Sequence, residues 1–321
     1  MATKATAPGK VILCGEHAVV YGQPAIALPL QDVRATATIE DRPAGTGLAI
    51  QTPDIGEQGH GPAPTPHPFA ALIGLTLAHL GRSTSVDIAV TLRSAIPIAS
   101  GMGSGAALGA ALVKALAHHF GAGIAPAEVS RLVYESERVF HGTPSGIDNT
   151  VVSYEQAIWF MRGRTDEAAP TFEPLVIKEP FTLLIADTGV RAPTHLSVGR
   201  VREQWLQAPE HFNRYFADIG ALAAEVRALL ATGNAQRLGA ALDRNQVLLR
   251  QLGVSSPELE RLIAAARATG AFGAKLSGAG AGGIMLALVD TASCAAVARA
   301  LQEAGAQRIV QTTVGQHNVL F

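Results

Sequence analysis

Three glycine-bearing segments, far apart along the chain, constrain its fold more than any other feature: Pro8 to Gly22 (PGKVILCGEHAVVYG), Pro97 to Ala107 (PIASGMGSGAA) and Lys275 to Gly283 (KLSGAGAGG). The middle one has the most explicit physics. Val86 to Leu92 (VDIAVTL) alternates apolar and polar residues and reads as a strand. Gly101, Gly103 and Gly105 follow, interleaved with Met102 and Ser104, and then Ala106 to Phe120 (AALGAALVKALAHHF) is a run of strong helix formers. Glycines at the mouth of a helix let the backbone approach a ligand and turn its N–H groups inward, and the helix start adds partial positive charge. Phosphate is the ligand such a mouth suits. A plain tight turn before a buried alanine-rich helix is the alternative that this loop, taken alone, leaves open.

The loop is not a Walker cradle, because the only Gly-Lys pair, Gly9-Lys10, is followed by Val11 rather than by a hydroxyl residue. The third segment does contain G-x-G-x-x-G, at Gly278, Gly280 and Gly283. A dinucleotide fingerprint should follow a strand and open a helix, whereas here a strand-like run, Ile284 to Val289, comes next. The segment is better read as a turn that lets two backbones pack closely, against the phosphate loop.

At 321 residues the chain exceeds the usual size of one core, which favours two domains. A formal net charge of −1 and the lack of any basic run argue against nucleic acid or an anionic membrane as partner. The start, MATKATAPGK, has no apolar h-region, so a cytoplasmic protein without a membrane span is expected. Cys14 and Cys294 lie far apart with no C-x-x-C, as expected of free thiols in a reducing compartment. The adjacent His118 and His119 fall on different helical faces, so no structural zinc site is assigned.

Lys10 to Cys14 and Asp32 to Glu40 read as strands, and Phe69 to Leu80 and Pro126 to Phe140 as helices, with Pro126 in a first turn. Pro53 to Pro68 is rich in Pro and Gly without periodicity and reads as a mobile surface loop. Near Pro180 the register changes. An apolar strand, Phe181 to Asp187, precedes helical stretches at Ala217–Ala231, Ala235–Leu252 and Pro257–Thr269. The end alternates strand (Gly283 to Val289), helix (Thr291 to Ala304), strand (Ala306 to Val314) and a last strand (His317 to Phe321). Domains of 1–179 and 180–321 follow from this pattern.

Lys10 opens the first strand, and Glu16 and His17 lie just beyond that strand's end. In Glu137 to Asn149 (ERVFHGTPSGIDN) a helix end breaks into Gly142, Pro144 and Gly146, then presents Asp148 and Asn149. An acid after such a constrained turn can be aimed at a substrate hydroxyl. It can equally cap the segment that follows.

PGKVILCGEHAVVYGQPAIA, PIASGMGSGAA, ERVFHGTPSGIDN and KLSGAGAGGIM, in that order, resemble the signature segments of the GHMP small-molecule kinases, over Pro8 to Gly283. GEHAVVYGQPAIA joined with HGTPSGIDN is most similar to the members that phosphorylate mevalonate at its C5 hydroxyl. The resemblance implies a two-domain α+β fold: an N-terminal α/β domain with the phosphate loop, a C-terminal α+β domain, and an active site in the cleft between them. It implies ATP and Mg²⁺ as cofactors, mevalonate as the small-molecule partner in isoprenoid precursor synthesis, and a homodimer as the candidate assembly. Asp148 would sit beside the C5 hydroxyl as base or orienting carboxylate, and Lys10 would contact both, stabilising alkoxide charge. Glu16, His17 and Thr194 would belong to the substrate pocket, with Thr194 inside a family-like stretch, Asp187 to Arg202. Pro97, Ala99, Ser100, Gly101, Met102, Gly103, Ser104, Gly105 and Ala106 would wrap the nucleotide phosphates. Glu137 would hold Mg²⁺.

Two departures stand out. The family loop reads G-[LM]-G-S-S-A-A and uses its second serine on Mg²⁺; this chain has Gly105 there, leaving water or Ser104 to complete the metal. The residue after Thr194 is commonly basic in the family; here it is His195, with Arg191 three positions before Thr194, so the site of substrate-anchoring charge is open. A kinase of phosphomevalonate, a sugar or homoserine, or a catalytically silent sensor on the same fold, are the alternatives. Retention of Lys10 and Asp148 argues against the sensor.

Overall fold

Alternation and glycine punctuation resolve into ten strands and nine α-helices among the described residues of the computed structural model, which are 2–54, 67–97, 100–141, 145–163 and 169–315, without the side chains of 139–141. Strand β1 (Thr3–Cys14) starts well before Lys10. From Ala7 to Cys14 every residue is buried, so the strand carries no period-two signal to read. Strand β2 (Ala25–Asp41) pairs with β1, and its second half runs antiparallel to β4 (Ile88–Ser94), with Ala35 opposite Ser94 and Asp41 opposite Ile88. The first residues of β2 pair with β5 (Ile158–Met161), which pairs with β6 (Thr171–Pro174); β3 (Ala49–Gln51) lies parallel to β4. A second sheet, wholly antiparallel, has the order β10 (Arg308–Val314), β7 (Phe181–Asp187), β9 (Ile284–Val289), β8 (Gly273–Ser277).

Packing divides the chain into two units whose segments interleave. One contains Met1–Lys10, Val33–Ile98 and Gly103–Glu155; the other contains Val11–Asp32, Ala99–Met102 and Gln156–Phe321. The composition change near 180 does not mark this division. Residues 156–179 go with the second unit, where Leu175 N–H donates to Ala157 O and Lys178 N–H to Leu230 O. Strands β1 and β2 each contribute to both units, and hydrophobic pattern does not reveal such crossings.

In the first unit helix α2 (Ser104–His119) is buried from Ala106 to Val113, and α1 (Pro68–His79), α3 (Pro126–His141) and α4 (Ile147–Tyr154) pack on it. Its alanines let these neighbours come close, while Leu112 and Leu116 fill the remaining space. Truncating either fully buried leucine to Ala should cost about 2–5 kcal/mol. In the second unit α7 (Ala235–Gln251), α8 (Pro257–Ala268) and α9 (Thr291–Glu303) pack on the four-stranded sheet. All three begin at a side-chain cap, from Asn234, Ser256 and Asp290, which satisfies backbone donors that a helix start leaves open. Helix α6 (Pro209–Thr232) starts earlier than its sequence pattern indicated, and α5 (Thr194–Gln207), whose charged sequence shows little apolar periodicity, had no sequence signal. Among the described residues no helix is long and apolar enough to cross a membrane. The expected loop at Pro53–Pro68 lies mostly outside the described residues, as does the expected strand His317–Phe321.

Candidate active site

In the first unit, β1 delivers Lys10 into the protein with only 4% of its surface exposed. An isolated ammonium cannot stay charged there without a partner. That partner is Asp148, whose Oδ1 is 2.9 Å from Lys10 Nζ and whose side chain keeps 32% exposure. The pair therefore has a buried end and an open end. Asp148 is presented by the first turn of α4, which begins after Gly146 (φ 84°). Its neighbour Asn149 points the other way, into the core, where Nδ2 donates to Ser130 Oγ at 2.9 Å and Ser130 O at 3.2 Å. Asn149 thus fastens α4 to α3 while Asp148 stays available.

Glu137, on α3, completes this cluster. Burial first, and then the Asp148 carboxylate nearby, push its carboxyl from an ordinary 4.5 up to about 8, while Lys10 pulls it down. Two carboxyl groups that repel each other in a mostly buried place fit a hard divalent cation, which favours oxygen ligands. Among the described residues no group of three or more His, Cys, Asp or Glu could hold a metal ion.

Ser104 is the first residue of α2, and Gly103 caps it with φ 71°. A Cβ on Gly103 would lie 2.7 Å from Lys10 Cγ and 3.1 Å from Lys10 Cε. The helix mouth is thus packed on the lysine stem. Gly105 differs: no heavy atom lies within 4 Å of its would-be Cβ, and it is exposed. The side chains of Pro97, Met102 and Ala106 are buried, so only their backbones could meet a phosphate. Ala99 lies outside the described residues.

In the second unit the third glycine segment touches both of the others. A Cβ on Gly283 would be 3.1 Å from Ser100 O, and one on Gly101 3.9 Å from Ser277 O. The expected close packing of this segment against the middle glycine segment is thus present. Glu16 and His17 are buried, at 1% and 6% exposure. Glu16 Oε1 is ion-paired with Lys275 Nζ, and His17 Nε2–H donates to Ala279 O at 3.1 Å. Burial, partly offset by that bond, lowers the His17 imidazole to about 4, so it is neutral at pH 7. Burial, and then Glu16, raise the Cys14 thiol far above its ordinary value, which makes it an inert core group.

Thr194 opens α5 and is exposed, and no hydrogen bond or ion pair joins it to Glu16 or His17 among the described residues. Arg191 is held by Asp187 in a two-pronged pair, Nη1 to Oδ1 and Nη2 to Oδ2, both 2.9 Å. Its charge neutralises a carboxylate of 2% exposure. Lys275 and Ser277 were not singled out by sequence. Their one available signal is that they open the third glycine segment.

The model of the GHMP kinases N terminal domain matches residues 70–156, and the GHMP kinases C terminal model matches 226–307, together more than half of the chain. The chain belongs to the GHMP kinase family. This GHMP kinase is 32% identical to the mevalonate kinase of Thermococcus sibiricus over 97% of its own length and 96% of that protein's. It is 33% identical to the mevalonate kinase of Aeropyrum pernix, over 89% and 88% of the two chains. The crystal structure of L. major mevalonate kinase in complex with R-mevalonate superposes with a TM-score of 0.84 at 30% identity, covering 97% of this GHMP kinase and 95% of that chain. The fold is accordingly the two-domain α+β fold of ATP-dependent small-molecule kinases.

Proposed function

We propose that this GHMP kinase transfers the γ-phosphoryl group of ATP to the C5 hydroxyl of mevalonate. The observation that carries the proposal is the buried Lys10, ion-paired at 2.9 Å with the half-open Asp148 and packed under Gly103 of the glycine loop. Relatives named mevalonate kinase, similar over nearly the whole chain, supply the acceptor.

Phosphoryl transfer needs an acceptor oxygen in line with the phosphorus, neutralised charge and excluded water. Asp148 accepts the hydroxyl proton or orients the hydroxyl, and its own charge is held in place by Lys10. The Lys10 ammonium stabilises alkoxide character as that proton leaves. Ser104 and the first backbone N–H groups of α2, unpaired within the helix, receive phosphate oxygens. Glu137 would hold Mg²⁺, which would supply neutralisation of phosphate charge there. Because Gly105 offers no hydroxyl, the metal's completion would fall to water or Ser104, as suits an ion that sheds water reluctantly. The free thiols Cys14 and Cys294 support a cytoplasmic setting.

The test is ADP release by purified protein against mevalonate, phosphomevalonate, galactose and homoserine. Mevalonate should lead in kcat/KM by at least about tenfold, equivalent to about 1.4 kcal/mol. A comparable lead for any other acceptor overturns the substrate assignment.

A further inference from the structure

Lys275 is a lysine in a strand that is otherwise all core. Strand β8 is Gly-Ala-Lys-Leu-Ser, every residue is buried, and Lys275 itself has 0% exposure. Its ammonium donates to Glu16 and to the Leu276 carbonyl. A buried ion pair stabilises poorly against an apolar pair of similar volume, and its best-attested use is to fix register. The surroundings point to register here too. Ser277 Oγ–H donates to Ile12 O at 2.9 Å and accepts from Ile12 N–H at 3.0 Å. His17 Nε2–H reaches Ala279 O. Residues 12, 16 and 17 are thus tied to 277, 275 and 279.

The segment so tied is also conformationally costly. Gly15 has φ 104°, and a Cβ there would lie 2.5 Å from Ala25 Cα; His17, not a glycine, has φ 59°. Glu16 sits between these two positive-φ residues, in a bend that persists only where its surroundings over-determine it. The far side of the same glycine segment carries the phosphate loop, through Gly283 against Ser100 and Ser277 against Gly101.

We infer that Lys275 is a positioning residue: its pair with Glu16 pins the 12–17 bend to the third glycine segment, and that segment in turn fixes Ser100 and Gly101 of the phosphate loop. Glu16 then acts through this pin rather than by touching the acceptor. The inference needs kinase activity but not a particular acceptor, so it stands apart from the mevalonate assignment.

The experiment compares wild type, Lys275→Met, Glu16→Gln and the double variant by thermal denaturation and by steady-state ADP release, varying ATP and acceptor separately. The acceptor is mevalonate, or whichever alcohol the wild type prefers if mevalonate fails; that failure would sink the functional proposal alone. Lys275→Met should lower Tm and reduce kcat at least about tenfold, with KM for ATP and acceptor rising together. The double variant removes the uncompensated charge, so Tm should return to near wild type while kcat stays at least about tenfold down. If Lys275→Met does not fold, the double variant decides. Recovery of wild-type kcat in the double variant would show that the pair only balances charge, and would overturn the inference. So would a defect confined to acceptor KM, which would mean that Glu16 touches the acceptor directly, or a Lys275→Met enzyme with normal kcat.

Discussion

Gly103→Ala adds one methyl group at the point where the glycine loop rests on Lys10. The methyl carbon would lie 2.7 Å from Lys10 Cγ, about 0.8 Å inside the roughly 3.5 Å of an ordinary carbon contact. The backbone there has φ 71°, which costs a non-glycine residue about 1–2 kcal/mol. The lysine stem is packed on its other sides, since the residue is only 4% exposed, so relief has to come from moving it. Its Nζ would then leave the 2.9 Å contact with Asp148. Misplacement of a reacting group by about 1 Å costs up to about a hundredfold in rate, so kcat should fall roughly ten- to a hundredfold while Tm drops by a few degrees. Gly105→Ala is the matched control two residues on. It meets no heavy atom within 4 Å and should gain about 0.5–1 kcal/mol of helix stability with kcat unchanged. Thermal denaturation and steady-state ADP release measure both. A Gly103→Ala enzyme with wild-type kcat would refute the argument that the loop and the lysine are packed as one unit.

Lys10→Met and Asp148→Asn should each lower kcat by on the order of 10² to 10⁴ with the fold retained by circular dichroism; near-normal turnover in either places the chemistry elsewhere. The Glu137 carboxyl has its folded value raised from 4.5 to about 8, so its contribution to stability is fully present below pH 4.5 and is lost as pH rises through 8. Metal-free wild type should therefore lose Tm between pH 5 and pH 8 more steeply than Glu137→Gln, and parallel curves would contradict the assigned environment. Gly105→Ser should fold normally and lower the Mg²⁺ concentration for half-maximal rate, because the helical backbone and the open space at 105 accept a hydroxyl; an unchanged Mg²⁺ requirement would mean that position 105 does not face the metal.

Local signals carried much of this protein. The strand, glycine loop and alanine helix of Val86–Phe120 appear as β4, the loop and α2, because propensity and tertiary packing agree there. The G-x-G-x-x-G at Gly278–Gly283 sits between β8 and β9, as the following apolar run indicated. Packing separates Asp148 from Asn149: Asn149 is fastened into the core, while the Asp148 side chain stays half-exposed beside Lys10. Lys275 was invisible because its meaning lies in a partner 259 positions away. The same holds for Arg191, which resembles a free substrate-anchoring charge until Asp187 is seen to be buried against it.

The central claim is transfer of phosphate to one hydroxyl of mevalonate, and the position of the new phosphate tests it most directly. Wild-type protein, ATP, Mg²⁺ and mevalonate are incubated together, and the product is examined by phosphorus–proton correlation NMR. The account predicts one phosphorylated product whose phosphorus couples to the C5 methylene protons, and its formation should be suppressed by Asp148→Asn. Phosphate on the tertiary C3 hydroxyl, or no phosphorylated mevalonate at all, would contradict it.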